Sequence, residues 1–393
     1  MNATPSRIYL DNAATSWPKP PAVYDAVDHY QRHVGAAAGR SAYRDSTDVA
    51  AQIAETRRRA AELIGAPRGR SVIFTCNGTE SLNLALHGTL RPGDHVVTSA
   101  SEHNSVLRPL RYLHDTAGVQ VTVVPCDHRG LIDPDAVAAA IRPETRMIAM
   151  IHASNVTGAI QPIREIGCLA RDHEVLFLVD AAQSLGHIPV DVQACHIDLL
   201  AAPGHKGLLG PLGTGILYAT PEAEQRLRPL RQGGTGTNSE NEIHPCVYPD
   251  GFEAGNLNVP GVIGMLAALR FLEHPGLDAR RKHEQELTRQ LIDGFSAIRG
   301  VTVLGPREAS SQVGVVSITL DDYDPQEVAA MLDATEGIQV RSGLHCAPRI
   351  HAALGTRDRG GAIRFSTGPF NTSDEVHRAV HAIAELSAAG PPS

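Results

Sequence analysis

The sequence predicts an α/β fold, with a mostly parallel sheet covered by helices on both faces and a smaller α+β region after it. Two observations carry this. Between about residues 70 and 220, short β-branched runs alternate with helical patterns, as strand–helix–strand units require. Beyond residue 300 short strands and helices mix without that alternation. A chain of 393 residues is long enough for two or three domains with well-filled cores.

In chain order, residues 71–76 read as a strand and 80–90 as a helix. Residues 95–100 read as a strand, 105–117 as a helix and 119–124 as a strand. A helix over 133–141 opens on Asp-Pro. Strands at 146–152 and 175–179 flank a helix at 163–172, and further strands follow at 197–201 and 215–219. Helices cover 260–274 and 277–298, the second heavily charged. The last part reads as strands at 301–304, 313–320 and 339–341, with helices at 325–335 and 373–388. Residues 362–366 read as a further strand. The domain expectation is an N-terminal segment, 1–20, packing near the active site and the small domain. A large domain spans 21–272 and a small C-terminal domain 273–393, with a disordered tail at 390–393.

Composition excludes several classes. Net charge is −8 with no basic patch, which argues against a nucleic-acid binder. The local run Arg57-Arg58-Arg59 reads as a solvated helix face. Apolar stretches fall short of the ~20 residues of a membrane span, and the first 16 residues carry no signal-peptide pattern. Six cysteines without a CxxC pair argue against a metal site and for reduced thiols in a cytoplasm.

Lysine occurs only three times, so the search for an amine nucleophile is short. Lys19 lies among prolines in a stiff loop expected to be exposed. Lys282 lies on a charged helix face. Lys206 alone sits among small and apolar residues, where a desolvated amine turns nucleophilic. Sites in open α/β sheets form beyond the carboxyl ends of the strands. There the chain places Asn77-Gly78-Thr79, Ser101-Glu102-His103, Ala153-Ser154-Asn155, Asp180 to Gln183 and Pro203 to Lys206. Asp180 ends an apolar strand, so its carboxylate needs a cation, a task or a helix to cap. Gly78 and Thr79 begin a helix, where free N–H groups favour a phosphate, although an ordinary N-cap explains them equally well. His103 is either a ring-stacking residue or a satisfied loop histidine. Cys346 has Arg341, Gly343 and His345 close by in sequence, a setting that favours thiolate; otherwise it is an inert thiol. Arg364, amid apolar residues, suits a bidentate grip on a carboxylate or an edge-strand surface.

Together these motifs resemble the cysteine desulfurase and selenocysteine lyase group of the class V aminotransferase-like enzymes that use pyridoxal 5'-phosphate (PLP). The resemblance runs in order over nearly the whole chain. It passes through Tyr9 to Thr15, Gly78-Thr79-Glu80-Ser81, Ser101-Glu102-His103-Asn104, Ser154 to Gly158, Asp180-Ala181-Ala182-Gln183 and Gly204-His205-Lys206. It ends with Phe252-Glu253-Ala254-Gly255, Arg341 to Pro348 and Arg364-Phe365-Ser366. It implies the PLP-dependent transferase fold type I. It makes Lys206 the Schiff-base lysine, Asp180 the partner of the ring nitrogen and Gln183 that of the ring oxygen. His103 would stack on the ring, Gly78, Thr79 and His205 would bind phosphate, Asn155 would bind both cofactor and substrate, and Arg364 and Ala14 would bind substrate. Cys346 would attack substrate sulfur.

The implied reaction converts L-cysteine to L-alanine with a Cys346 persulfide. Alternatives are a lyase acting on L-selenocysteine, another class V reaction (aminotransferase, epimerase or C–S lyase), and a non-enzymatic scaffold. The short Cys346 loop is similar to the branch that works with a sulfur-acceptor protein, and the family implies a homodimer. Two positions depart from the pattern: Pro203 and Asn256 stand where relatives often carry Ser or Thr. Two phosphate-binding hydroxyls are thus missing, and the run Gly233 to Thr237 is the expected substitute.

Overall fold

The computed structural model describes residues 7–38, 43–67, 72–236 and 240–390. Thr237 and the tail beyond Gly390 lie outside the described residues. The chain opens with β1 (Ile8–Tyr9), then helices α1 (Pro21–His29) and α2 (Arg44–Leu63). The alternating region follows: β2 (Ile73–Thr75), α3 (Gly78–Thr89), β3 (His95–Ser99), α4 (Asn104–Ala117), β4 (Gln120–Val124), α5 (Pro134–Ala140) and β5 (Thr145–Ile151). It continues with α6 (Ile163–Asp172), β6 (Leu176–Asp180), β7 (Leu199–Pro203), β8 (Gly215–Ala219) and α7 (Pro221–Arg226). Helices α8 (Val259–Leu272) and α9 (Leu277–Ser296) lead to β9 (Val301–Leu304), β10 (Val315–Leu320) and α10 (Pro325–Glu336). The chain closes with β11 (Ile338–Gln339), β12 (Arg341–Gly343), α11 (Pro348–Ala353), β13 (Ala362–Ser366) and α12 (Ser373–Ala389).

Strands β2 to β8 form one seven-stranded sheet in the order β2-β8-β7-β6-β5-β3-β4. Only β8 runs against its neighbours. Alternate residues of β5 face opposite ways. Ile148 and Met150 join a core with Ile53 of α2, Ile166 of α6 and Val262 of α8. Met147 and Ala149 join another with Leu82 of α3, Val106 of α4 and Ala223 of α7. Burial on both faces explains the near-continuous apolar runs of these strands.

The second sheet, β12-β13-β10-β9, is antiparallel. It packs against α9 and α12 through Leu291, Phe295, Phe365 and Ile383, in a core that also takes Ile8 and Leu10. β1 pairs in parallel with β11, so the start of the chain is built into this region.

Three readings need correction. Residues 339–341 are not one strand, because β11 ladders with β1 and β12 with β13, the chain changing sheets at Val340. Helix α1 and most of α2 escaped the reading: α1 is nine residues opened by Pro21, and α2 buries a thin stripe including Val49 and Ile53. The Arg57-Arg58-Arg59 face is solvated only at Arg58. Arg57 forms a buried ion pair with Glu253, whose carboxylate also accepts the Phe74 N–H, and Arg59 pairs with Glu55 and Glu273.

Candidate active site

Five of the sheet's strands end beside one another, and the expected residues emerge there. Asp180 is the last residue of β6 and is buried; its Oδ1 accepts the Ala182 N–H at 2.9 Å. Burial raises its carboxyl above the usual range, while the Ala182 N–H and the Lys206 charge oppose the rise. Lys206 follows β7. Burial lowers its amine to about 8, with Asp180 opposing and the Arg364 and Arg341 charges assisting. Its Nζ makes no hydrogen bond among the described residues.

The lysine turn is tightly specified. Gly204 N–H donates to Thr214 O at 2.8 Å, and Gly210 N–H to Gly204 O at 2.7 Å. A Cβ on Gly204 would lie 2.1 Å from Thr214 Oγ1, so only glycine fits. The His205 carbonyl accepts from Ser16 N (3.0 Å), Thr15 Oγ1 (3.2 Å), Ser16 Oγ (3.1 Å) and Lys19 Nζ (2.7 Å), clamping the turn to the N-terminal segment. Lys19 is therefore not the exposed loop lysine expected from sequence. It is half-buried, and desolvation lowers it to about 8 as well. What distinguishes Lys206 is its unengaged amine facing Asp180. Lys282 is exposed, as expected.

His103 precedes α4 and caps it, Nδ1 accepting from Ser105 N–H at 3.0 Å, which leaves the ring proton on Nε2. Burial first, then the Lys206, Arg341 and Arg364 charges, lower it to about 4, so it is neutral. Ser105 Oγ lies 2.8 Å from both His103 Nδ1 and Thr79 Oγ1, joining the predicted ring-stacking and phosphate-binding residues. Gly78 and Thr79 open α3, with Asn77 capping Glu80 N–H at 2.9 Å; their own N–H groups have no partner among the described residues. His205 Nδ1 is buried without a partner among the described residues. Gln183 donates to Ala13 O at 2.9 Å, beside the half-buried Ala14.

Arg364 lies in the middle of β13, 2 % exposed rather than on an edge. It donates to Asn155 O at 3.1 Å and pairs with Asp11 at 2.7 Å, while its Nε has no partner among the described residues. Asn155 donates to His345 O at 2.6 Å, and its buried Oδ1 has no partner among the described residues.

Cys346 is exposed at the front of this group. Its carbonyl accepts from Asn104 N–H at 2.7 Å, and Arg341 Nη2 approaches its Sγ at 3.9 Å. His345 (φ +48°) and Cys346 (φ +57°) are both left-handed. That conformation costs roughly 1–2 kcal/mol per residue, so their surroundings must impose it. Cys76 is exposed, and desolvation with Glu80 raises its thiol. Burial also raises Cys126 and Cys195.

Sequence reading missed the roles of Asp11, Ser105 and Glu102. Glu102 is fully buried and accepts from Ser99 Oγ (2.6 Å) and Ile151 N–H (2.9 Å). Burial raises it to about 8, which makes it a neutral acid at neutral pH. All three lie inside or one residue beyond quoted motifs, which was the only available signal. Pro203 packs against Gly78, with Cδ 3.1 Å from where a Cβ would stand there. Thr235, Gly236 and Asn256 line a separate cavity of ≈ 540 Å³ that Thr79 and His205 do not line. Gly233 N–H goes to His244 at 3.3 Å.

A family model described as aminotransferase class-V matches residues 8–379. The chain is 37% identical over 386 residues to a probable cysteine desulfurase of Methanothermobacter thermautotrophicus, covering 98% of this chain and 95% of that protein. It is 33% identical over 385 residues to a cysteine desulfurase of Salmonella agona, covering 96% and 93%. Among solved structures, the apo cysteine desulfurase of Thermococcus onnurineus NA1 superposes with a TM-score of 0.90 at 34% identity, covering 98% and 95%. An S-sulfonic acid form of an Escherichia coli cysteine desulfurase superposes with a TM-score of 0.84 at 29% identity, covering 96% and 94%.

Proposed function

The chain belongs to the aminotransferase class-V family, and we propose that it is a PLP-dependent cysteine desulfurase converting L-cysteine to L-alanine. The observation that carries this reading is the docking of Cys346, through its own carbonyl, onto Asn104 beside His103. Transamination needs a lysine and a cofactor but no thiol at this place.

The residues suit PLP by the chemistry of their donors. A buried carboxylate lacks a full counter-cation at Asp180, and a desolvated amine stands free at Lys206. Unengaged N–H groups open α3, and a buried ring nitrogen is unpartnered at His205. When bound, PLP supplies an electron-withdrawing ring that stabilises charge at the amino acid's α-carbon.

Lys206 is the residue to which PLP would be tethered. Asp180 would hold the ring nitrogen protonated, and Gln183 would hydrogen-bond the ring oxygen. His103 would lie against the ring, and Gly78, Thr79 and His205 would take the phosphate. Asn155 and Arg364 would bind the substrate, and the unpartnered Asn155 Oδ1 and Arg364 Nε support that role. Arg364 keeps three of its five N–H groups without an acceptor among the described residues, enough for a bidentate carboxylate, and Ala14, whose N–H donates to the Asp11 carbonyl, would also bind substrate. The Lys206 amine, near neutrality, moves the proton at the substrate's Cα. The Cys346 thiolate then attacks substrate sulfur. An S–S bond forms, the C–S bond breaks with its electron pair going to carbon, and protonation there yields alanine.

Exposure of Cys346 supports onward delivery to an acceptor protein. Large exposed apolar side chains at Leu212, Ile243 and Val247 support a homodimer, and six free cysteines support a cytoplasmic setting. No helix among the described residues is long and apolar enough to cross a membrane. The test is product identification from L-cysteine with excess thiol. Equimolar sulfide and alanine are expected; a keto acid in place of alanine would overturn the reading.

A further inference from the structure

Behind Cys346 three buried polar side chains stand in line. His345 is 4%, His351 0% and Thr356 4% exposed. His345 Nδ1 lies 3.4 Å from His351 Nε2, with the rings stacked at 5.5 Å and 29°. His351 Nδ1 lies 2.8 Å from Thr356 Oγ1, and His345 Nε2 lies 3.4 Å from the Arg341 carbonyl. The proposed chemistry uses neither His351 nor Thr356.

Burial keeps both rings neutral, lowering His351 to about 4 and His345, with help from the Arg364 charge, to about 2. Each ring then has one N–H and one lone pair. One ordering gives every nitrogen a complementary partner. In it Thr356 Oγ–H donates to His351 Nδ1, its nearer acceptor at 2.8 Å against 3.4 Å for the His351 carbonyl, His351 Nε2–H to His345 Nδ1, and His345 Nε2–H to Arg341 O. The reverse ordering turns the His345 Nε2 lone pair towards a carbonyl oxygen, a buried mismatch. The chain joins the start of the Cys346 loop, at Arg341, to its left-handed end. On the other side Asn155 and Asn104 hold the carbonyls of His345 and Cys346.

We propose that Thr356, His351 and His345 form a proton-ordered strut that holds the Cys346 loop in its left-handed conformation. His345 is then a positioning residue and not the base for the Cys346 thiol. The functional importance of this strut rests on the desulfurase reading. Both nitrogens of His345 are committed within the strut, so neither can take the thiol proton. The positive charge at Sγ is the Arg341 guanidinium, 3.9 Å away. Loss of the loop geometry moves Sγ away from that guanidinium.

The test is alkylation of Cys346 in the substrate-free holoenzyme by iodoacetamide, from about pH 5.5 to about 9, followed by peptide mass spectrometry. Thr356→Val is expected to slow alkylation at neutral pH about tenfold. It is also expected to lower kcat for sulfide release by a similar factor with little change in KM, while Thr356→Ser stays within about twofold of wild type on both. Should Thr356→Val not fold, His351→Gln is expected to show the same loss. Wild-type alkylation is expected to show a single rise with pH. Three results would overturn the proposal: wild-type alkylation in Thr356→Val, equal loss in Thr356→Ser, or a second, lower inflection that disappears in His345→Gln. Alkylation requires no turnover, so its outcome stands apart from that of the desulfurase reading.

Discussion

Asp11→Asn should destabilise the substrate-free protein and increase the stabilisation that an amino-acid ligand brings. Arg364 is almost wholly buried, and Asp11, 2.7 Å away, is its one anionic partner among the described residues. Asparagine keeps the shape and one acceptor, and the bonds made by Asp11 O with Ala14 N and Tyr9 Oη are backbone contacts that survive. Unit charges about 4 Å apart interact by roughly 4 kcal/mol at an effective dielectric of about 20. The Asp11 side chain is 21% exposed, so water screens part of this. The retained hydrogen bond recovers about 1 kcal/mol, leaving a loss of about 2 kcal/mol. A ligand carboxylate then restores part of the missing charge. The assay is urea unfolding of holoenzyme with and without L-alanine, whose stabilisation follows mass action. The variant should lose about 2 kcal/mol alone, and L-alanine should stabilise it by about 1 kcal/mol more than wild type. Equal unfolding midpoints, or a larger ligand effect in wild type, would refute the reasoning.

The amine of Lys206 is lowered to about 8, so its neutral fraction rises through neutral pH and saturates above that value. Covalent capture of PLP by cofactor-free protein, followed by absorbance, should climb and level off near there, and a climb continuing towards the ordinary lysine range would contradict it. Lys19→Ala should still capture PLP and Lys206→Ala should not. Gly204→Ala drives a Cβ to 2.1 Å from Thr214 Oγ1 and should cost about 2–3 kcal/mol in urea unfolding; an unchanged midpoint would show that the turn has room. Arg57→Ala unpairs buried Glu253 and should cost about 3 kcal/mol, part of which Glu253→Gln in the same chain recovers. Additive single losses would rule the pairing out.

Strand ends were legible because a parallel sheet buried on both faces writes continuous apolar runs, and the polar residue ending each run stands out. Asp180 was found that way, whereas Lys206 stood out as the one lysine of three among small and apolar residues. What stayed hidden depends on partners far apart in sequence. Lys19 reads as a loop lysine until it meets the His205 carbonyl 186 residues on. Arg57 reads as solvated until Glu253 arrives, 196 residues away, and nothing near Asp11 announces Arg364, 353 residues later. Such contacts leave no local period. The split at Val340 was invisible for a related reason: two short strands in succession share one β-like pattern although they join different sheets.

The central claim is that Cys346, alone among six thiols, receives the sulfur. Its most direct test is to mix holoenzyme with L-cysteine, quench rapidly, and locate the added sulfur by peptide mass spectrometry. The expected result is one extra sulfur on Cys346 and none on Cys76 or Cys246, the other exposed thiols. Cys346→Ala should keep bound PLP and release no sulfide. Added sulfur on Cys76 or Cys246, or sulfide release by Cys346→Ala at the wild-type rate, would contradict the account.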